Sequence, residues 1–163
     1  MKKRLILSCM MFSACVALLS GCTDKNAVMD ESVEIANHNW TYINTTKFSF
    51  KIDDEKVPYN LYMNLRVTGD YKYSNIFVLI SQSGPGVKNA QQRYEMRLAT
   101  KGGEWLGKGS GNLYSYQEPF LVNHLFPAKG TYTFIIEQNM RDNPLREVSD
   151  VGLRVEKASG KQP

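Results

Sequence analysis

Hydrophobic and polar residues alternate in short runs through most of the chain beyond residue 40. In residues 59–67 every odd position is apolar, while Asn60, Asn64 and Arg66 occupy three of the four even positions. A period of two predicts a β-strand with one buried face. Residues 76–80 are continuously apolar, which predicts a central strand covered on both faces, with a short helix as the alternative that periodicity alone leaves open. Similar alternation predicts further strands over residues 48–52, 94–98, 113–116, 132–136 and 151–155.

Turn-forming residues separate these runs, and no amphipathic helical pattern lies between them. Short strands joined by turns predict an all-β fold, an antiparallel β-sandwich over residues 40–157. The pattern leaves the topology open between an immunoglobulin-like and a jelly-roll-like arrangement. The turn signals are clusters of Gly, Pro, Asp and Asn at residues 53–55, 68–70, 83–86, 101–103 and 141–144.

The first 22 residues have the layout of a targeting segment. Residues 2–4 are basic, residues 5–19 are apolar except for Ser8 and Ser13, and Ser20, Gly21 and Cys22 follow. This layout is that of a secretory signal, and the apolar run is shorter than the roughly 20 residues that span a bilayer.

The cysteine at the end of this segment makes it resemble a bacterial lipoprotein signal. We therefore expect residues 1–21 to be a signal peptide, with cleavage between Gly21 and Cys22 and lipidation of the Cys22 thiol. Two or more acyl chains give stable membrane anchoring. The alternative is an ordinary secretory signal in which the cysteine is coincidental.

The rest of the chain is long enough for one domain. Removal of residues 1–21 leaves 142 of the 163 residues. Residues 22–39 are polar without a sustained period and predict a lipidated tether, with one helical turn around residues 31–36 as an option. Residues 158–163 predict a flexible tail.

Charge and cysteine content exclude several functions for the processed chain. Beyond residue 21 there are 17 basic and 16 acidic residues, which argues against nucleic acid as a partner. Cys9 and Cys15 lie in the signal segment, so only Cys22 remains. Neither a disulfide nor a cysteine-based metal site can form, and the fold depends on its apolar core.

No motif predicts catalysis. Residues 102–108 have the glycine and lysine spacing of a phosphate-binding loop, but Gly109 stands where Ser or Thr is required. His38 and His124 do not form a ligand-spaced pair, and no Gly-x-Ser-x-Gly nucleophile motif is present. Residues 53–55 lack the pattern of a calcium loop and predict a solvated hairpin turn. We expect no enzymatic activity, no cofactor and no metal site.

Two tyrosine pairs are the candidate interaction residues. Tyr71 and Tyr73, and likewise Tyr114 and Tyr116, lie two residues apart, the strand spacing that places each pair on one face. Such rings can stack against sugars or form hot spots for a protein partner. They can equally pack over the edge of a sheet, and the abundance of tyrosine in sandwich strands favours packing.

Several segments from residue 40 to residue 156 resemble, in order and spacing, the gliding-motility lipoprotein GldH family of the Bacteroidetes. The resemblance implies a non-enzymatic envelope lipoprotein that acts with other gliding lipoproteins and the type IX secretion apparatus in moving surface adhesins. It transfers no catalytic residue to this chain. The segments are Leu65-Arg66-Val67-Thr68, Tyr71-Lys72-Tyr73-Ser74-Asn75-Ile76, Gly103-Glu104-Trp105-Leu106-Gly107, Gly130-Thr131-Tyr132-Thr133-Phe134, Gln138-Asn139-Met140-Arg141 and Asp150-Val151-Gly152-Leu153-Arg154-Val155-Glu156.

The residues after Cys22 predict the location. An aspartate directly after the cysteine would resemble an inner-membrane retention signal, and an acidic cluster would resemble a surface-export signal. Thr23, not an aspartate, follows the cysteine, and Asp24 alone does not make an acidic cluster. The sequence therefore has neither signal. We expect the chain to be anchored in the outer membrane and to face the periplasm.

Two functional hypotheses follow. The first is a scaffold or assembly component of the gliding-motility machinery linked to type IX secretion, whose partners are other envelope lipoproteins or secretion components. The second is a glycan-binding accessory lipoprotein of a nutrient-uptake system that binds sugars on aromatic platforms.

Overall fold

The computed structural model of the chain describes residues 24–158, with the side chain of Ser110 left out. The predicted signal peptide (residues 1–21), Cys22 and residues 159–163 of the predicted tail lie outside the described residues. A 3-10 turn, Ala36–His38, follows the first strand. The strands are β1 (Ala27–Glu34), β2 (Asn39–Trp40), β3 (Thr46–Ile52), β4 (Tyr59–Thr68), β5 (Asn75–Gly84), β6 (Val87–Arg97), β7 (Lys108–Ser110), β8 (Leu113–His124), β9 (Gly130–Gln138), β10 (Leu145–Arg146) and β11 (Val148–Lys157).

The strands form two main antiparallel sheets. One sheet has the order β1-β11-β4-β8-β7, the other has the order β3-β9-β5-β6, and β2 pairs with β10 in a short ribbon. The pairs β1·β11, β2·β10, β3·β9, β4·β8 and β5·β6 are nested, as if one long hairpin had been rolled up. This is the strand order of a jelly roll. The predicted all-β antiparallel sandwich is confirmed, and the order is jelly-roll-like rather than immunoglobulin-like.

The core lies between the two sheets and follows the predicted alternation. The odd positions of β4 from Tyr59 to Val67 are buried, as are alternate positions of β3 and β9. Aromatic rings fill one part of the core, where the Phe126 and Tyr132 centroids lie 4.4 Å apart and those of Phe50 and Phe126 lie 5.8 Å apart. Contacts of this geometry add to the free energy gained from burying the rings.

Strand β5 differs in part from its prediction. It lies centrally in the four-stranded sheet, and Ile76, Val78 and Ile80 are buried against the core. Phe77 points to the other face and is only half-buried. The Arg93 guanidinium lies 3.8 Å from the centre of the Phe77 ring and covers it. A cation over an aromatic ring, rather than a third layer, shields this apolar face.

Residues 53–55, within the connection at residues 53–58, also differ from their prediction. They do not form a hairpin turn, because β3 and β4 belong to different sheets. They instead carry the chain from one sheet to the other.

The segment predicted as a tether, residues 22–39, contains the first strand of the sandwich. Ala27–Glu34 forms the edge strand β1, paired with β11 from Ala27↔Glu156 to Glu34↔Asp150. The sequence gives little sign of this strand because Met29 is its only buried residue and most of its other side chains are exposed. The residues predicted as a helical turn, 31–36, lie mainly in β1 and before the 3-10 turn.

Charge pairing holds the start of the described chain on β11. The Arg154 side chain, 15% exposed, donates from Nη1 to Asp30 (2.8 Å) and from Nη2 to Glu156 (2.7 Å), and Nη2 also contacts Asp24. The backbone N–H of Asn26, and then Arg154, hold the pKa of Asp24 below its usual value. The hydrogen bonds to Asp30 and then to Glu156 raise the pKa of Arg154 above its usual value. One guanidinium therefore joins residues near both ends of the described chain.

Strand β1 also lies unusually close to β11 at Gly152. A Cβ atom there would lie 2.3 Å from Ser32 Oγ and 2.6 Å from the carbonyl oxygen of Glu31. Any side chain at this position would displace backbone and not only a side-chain tip. The close pairing of β1 with β11 thus requires glycine.

We expect Gly152→Ala to lower the free energy of unfolding by about 1–3 kcal/mol, because the added methyl group overpacks the β1–β11 pair. Gly102→Ala is the matched control, since the nearest atom to its Cβ is Thr100 Oγ1 at 3.6 Å. Urea unfolding followed by circular dichroism measures both variants. Equal stabilities of the two variants would contradict the packing argument.

We expect Arg154→Gln to open β1 without unfolding the rest of the sandwich. Amide exchange between Asp30 and Val33 should rise roughly fivefold, the effect of about 1 kcal/mol from partly exposed ion pairs. Arg97→Gln, at an exposed position on β6, serves as the control. Hydrogen exchange with mass spectrometry resolves β1 from β9, and unchanged exchange in β1 would argue against the role of Arg154.

Candidate interaction surface

The first tyrosine pair lies in the loop between β4 and β5 and not in a strand. Tyr71 is buried, and its hydroxyl donates to the Asn75 carbonyl oxygen at 3.2 Å. Tyr73 is half-buried, and its hydroxyl donates to Asp142 Oδ2 at 2.6 Å, the main cause of a raised pKa. The two rings meet edge to face at 5.9 Å. Burial raises the pKa of Tyr71 well above its usual value.

The second pair lies on β8 and packs against the loop between β6 and β7. Tyr116 is buried, and its hydroxyl donates to the Leu98 carbonyl oxygen at 2.8 Å. A Cβ at Gly107 would lie 2.6 Å from the Tyr116 ring, so the glycine lets the loop rest on it. Tyr114 is half-buried, with its ring centre 5.2 Å from that of Trp105. Trp105 belongs to the segment compared above with a phosphate-binding loop.

The four tyrosines therefore fix loops and do not form one exposed platform. Tyr71 and Tyr116 are inside the fold, and Tyr73 and Tyr114 are half covered by Asp142 and Trp105, respectively. Their main structural effect is to hold the loops between β4 and β5 and between β6 and β7.

These loops belong to one end of the sandwich, which we call the far end. It consists of the loops at residues 41–45, 69–74, 98–107 and 139–144. The opposite end, the terminal end, contains the start of β1, the end of β11 and the loops at residues 53–58, 85–86 and 125–129. The N–H of Lys157 donates to the Asn26 carbonyl oxygen, and the N–H of Ala158 donates to that of Pro58. Both ends of the described chain thus lie at the terminal end.

The far end exposes apolar side chains beside a charged cleft. Ile43 is 87% exposed at the tip of its loop. The neighbouring Tyr42 is held down, with its hydroxyl donating to the Met140 carbonyl oxygen at 2.6 Å. A cavity of about 730 Å³ adjoins the 139–144 loop and is lined by charges of both signs, including Lys72, Arg146, Asp70, Asp142 and Glu147. Ile43 and the cleft give this end an apolar contact point beside charges of both signs, and protein interfaces combine an apolar core with a polar rim in this way.

A second concave region lies on the outer face of the five-stranded sheet, and we call it the sheet groove. Its cavity volume is about 520 Å³. The Arg66 side chain is half exposed and donates from Nε to Asp150 Oδ2 at 2.6 Å. Sequence reasoning did not predict this groove, although the polar even positions of β4 marked the face on which it lies. The groove is lined mainly by Ser32, Asn64, Arg66, Lys108, Ser115, Gln117, Glu118 and Asp150.

The two histidines lie at opposite ends of the sandwich. His38 is in the turn after β1, towards the far end, whereas His124 ends β8 at the terminal end. Burial lowers the pKa of His124. Within residues 24–158, no cluster of three or more His, Cys, Asp or Glu side chains is arranged to hold a metal ion. The same residues contain no helix long and apolar enough to cross a membrane.

Comparison with known proteins relates this chain to one family. A family model described as GldH lipoprotein matches residues 27–155, close to the limits of the sandwich from β1 to β11. A protein of Christiangramia forsetii named gliding motility lipoprotein GldH homolog is 34% identical over 159 residues, covering 93% of this chain and 96% of the relative. No solved structure matches.

A second relative gives the same assignment. The gliding motility lipoprotein GldH of Flavobacterium johnsoniae is 27% identical over 146 residues, covering 85% of this chain and 89% of the relative. The family match spans the entire jelly roll, and the first relative aligns over nearly the full length. The chain therefore belongs to the GldH lipoprotein family.

Proposed function

We propose that this chain is a non-enzymatic lipoprotein of the outer membrane that faces the periplasm and serves as a scaffold in the gliding-motility machinery linked to type IX secretion. Its relatives are named gliding motility lipoproteins, which supports a lipoprotein role in gliding. The observation that carries the proposal is the separation of a terminal end, which holds Asp24 two positions after Cys22, from a far end that exposes Ile43 beside a charged cleft.

The position of Asp24 supports anchoring close to the bilayer. Arg154 holds Asp24 against the end of β11 at the terminal end. Cys22 precedes Asp24 by two residues, a reach of about 7 Å for an extended chain. Lipid attached to Cys22 would therefore keep the terminal end near the membrane surface. Within the described residues, the segment predicted as a tether pairs with β11 from Ala27 onward.

The far end is then directed away from the membrane. The ten residues of β11 span about 33 Å at the usual rise of a strand. Ile43 and the charged cleft would stand at about that distance from the terminal end, within reach of other envelope proteins. This arrangement favours a protein that positions partners by contact.

The tyrosines give less support to the glycan-binding alternative. That hypothesis requires two or three exposed coplanar rings, whereas Tyr71 and Tyr116 are buried. The edge-to-face contact of Tyr71 with Tyr73, at 72° between ring planes, is also unsuited to a flat sugar platform. A scaffold role agrees better with rings that stiffen loops.

We expect Cys22→Ser to release the protein from the membrane fraction, because the thiol that receives the lipid is gone. Cys15→Ser, within the signal segment, should leave the protein membrane-bound. Cell fractionation with immunoblotting measures the distribution, and mass spectrometry of the N-terminal peptide detects the acyl groups. A Cys22→Ser protein that stays in the outer membrane would show that the anchor is elsewhere.

We expect the protein, isolated from gently solubilised outer membranes, to carry gliding and type IX secretion components with it. Ile43→Asp should reduce their recovery about tenfold, a loss of about 1.4 kcal/mol at one apolar contact. Val122→Asp is the control, since Val122 is 61% exposed but lies on β8 away from the far end. Equal losses in both variants, or recovery of glycan-uptake proteins alone, would contradict the scaffold proposal.

A further inference from the structure

We propose that the sheet groove binds a carboxylate from an acidic, extended segment of a partner protein. The inference rests on the proposed scaffold function for the nature of the partner, but it concerns the outer face of the five-stranded sheet, which adjoins the far end at Leu106. Three features support it. Two cationic side chains lie on either side of a serine, the guanidinium of one of them is held in place by an acid, and a nearby amide has an available acceptor oxygen.

The two cations flank a small residue in one cross-strand row. Arg66 on β4 lies opposite Ser115 on β8, and Ser115 lies opposite Lys108 on β7. Neighbouring strands are about 4.8 Å apart, so the backbones of Arg66 and Lys108 are about 10 Å apart. Two long cationic side chains on either side of a serine leave an open space for an anion, and this space is part of the groove.

The orientation of Arg66 is fixed by a nearly buried acid. The Asp150 side chain is 5% exposed, and its Oδ2 accepts from Arg66 Nε at 2.6 Å and from Ser149 Oγ at 3.0 Å. Neither Nη atom of Arg66 donates to another described residue, and the side chain is 50% exposed. A planar guanidinium with two parallel N–H groups available matches the two oxygens of a carboxylate.

The charge of the lining limits the negative charge that a ligand can carry. Arg66 and Lys108 are balanced by Asp150 and Glu118 within the same cavity. A carboxylate adds one negative charge to this neutral set. A phosphate dianion would add two charges beside the carboxylates of Asp150 and Glu118, and their repulsion makes it the weaker ligand.

The amide side chains provide a contact for a peptide backbone. Gln117 Nε2 donates to Asn64 Oδ1 at 2.9 Å, and Asn64 Nδ2 donates to Asp30 Oδ1 at 2.9 Å. This relay fixes the Gln117 amide, and its Oε1 accepts no hydrogen bond from the described side chains. A free acceptor beside two cations suits an N–H next to a carboxylate, as in an acidic peptide. Leu106, 54% exposed, adds an apolar contact at the rim.

A sugar acid is less well suited to the groove than a peptide. Sugar rings stack on exposed aromatic faces. The one aromatic residue lining the groove, among those the structure describes, is Tyr116, and it is buried.

Photo-crosslinking of the full-length protein in its native cells tests the inference. The probe is p-benzoylphenylalanine in place of Leu106, at the rim of the groove. We expect a discrete protein adduct whose yield falls about tenfold or more in the Arg66→Gln/Lys108→Gln background, because two charge-assisted hydrogen bonds are lost. Lys88→Gln/Arg97→Gln, on the exposed strand β6 of the other sheet, should leave the yield unchanged.

A second variant separates binding from folding. Arg66→Gln leaves Asp150 without its cation and can destabilise the sheet, whereas Lys108→Gln leaves the Arg66–Asp150 pair intact. Lys108→Gln alone should therefore lower the adduct yield about threefold while the melting temperature stays unchanged, since an exposed lysine contributes little to stability.

Mass spectrometry should place the crosslinked peptide beside an Asp or Glu. Changing that acid to Lys should restore the adduct with Arg66→Glu.

Three results would overturn the inference: an adduct with glycan or lipid, a protein adduct insensitive to loss of both cations, or no adduct. Failure here is distinguishable from failure of the scaffold proposal. If gliding components still co-isolate through the far end while the groove gives no adduct, the scaffold function stands and the groove site does not.

Discussion

The nested pairing of the strands, in which β1 on β11 is the outermost pair, is the constraint on which the rest of the structure depends. The pairs inside it bring the two sheets together over one core. Gly152 permits the close approach of β1 to β11, and Arg154 joins the two strands through Asp30 and Glu156. With no cysteine among residues 24–158, this non-covalent closure takes the place that a disulfide has in many secreted domains.

The sequence predicted the parts of the fold that depend on local periodicity. The alternation in β4 fixed its buried face, and each of the other alternating runs corresponds to a strand. It did not reveal β1, because an edge strand with Met29 as its only buried side chain has almost no hydrophobic period. It also left the strand order open, because nested pairing joins residues far apart, such as Arg66 and Asp150, 84 positions apart.

The candidate sites likewise depend on contacts between residues that are distant in sequence. Tyrosines two residues apart suggested shared faces, but their burial depends on neighbours such as Trp105 and Asp142 that local spacing cannot place. The sheet groove requires Lys108 to lie across Ser115 from Arg66, a relation set by two strand registers. The far end and the sheet groove are set by tertiary structure, which composition does not specify.

The direction of the strands has a mechanical consequence for a protein attached at its N-terminus. A pull between residue 24 and the far end runs along β1, parallel to the strands. The ladder between β1 and β11 is then loaded in shear, so its hydrogen bonds resist together and cannot be opened one at a time. A jelly roll anchored at its N-terminus would carry tension from that anchor to the far end without peeling apart at its first strand.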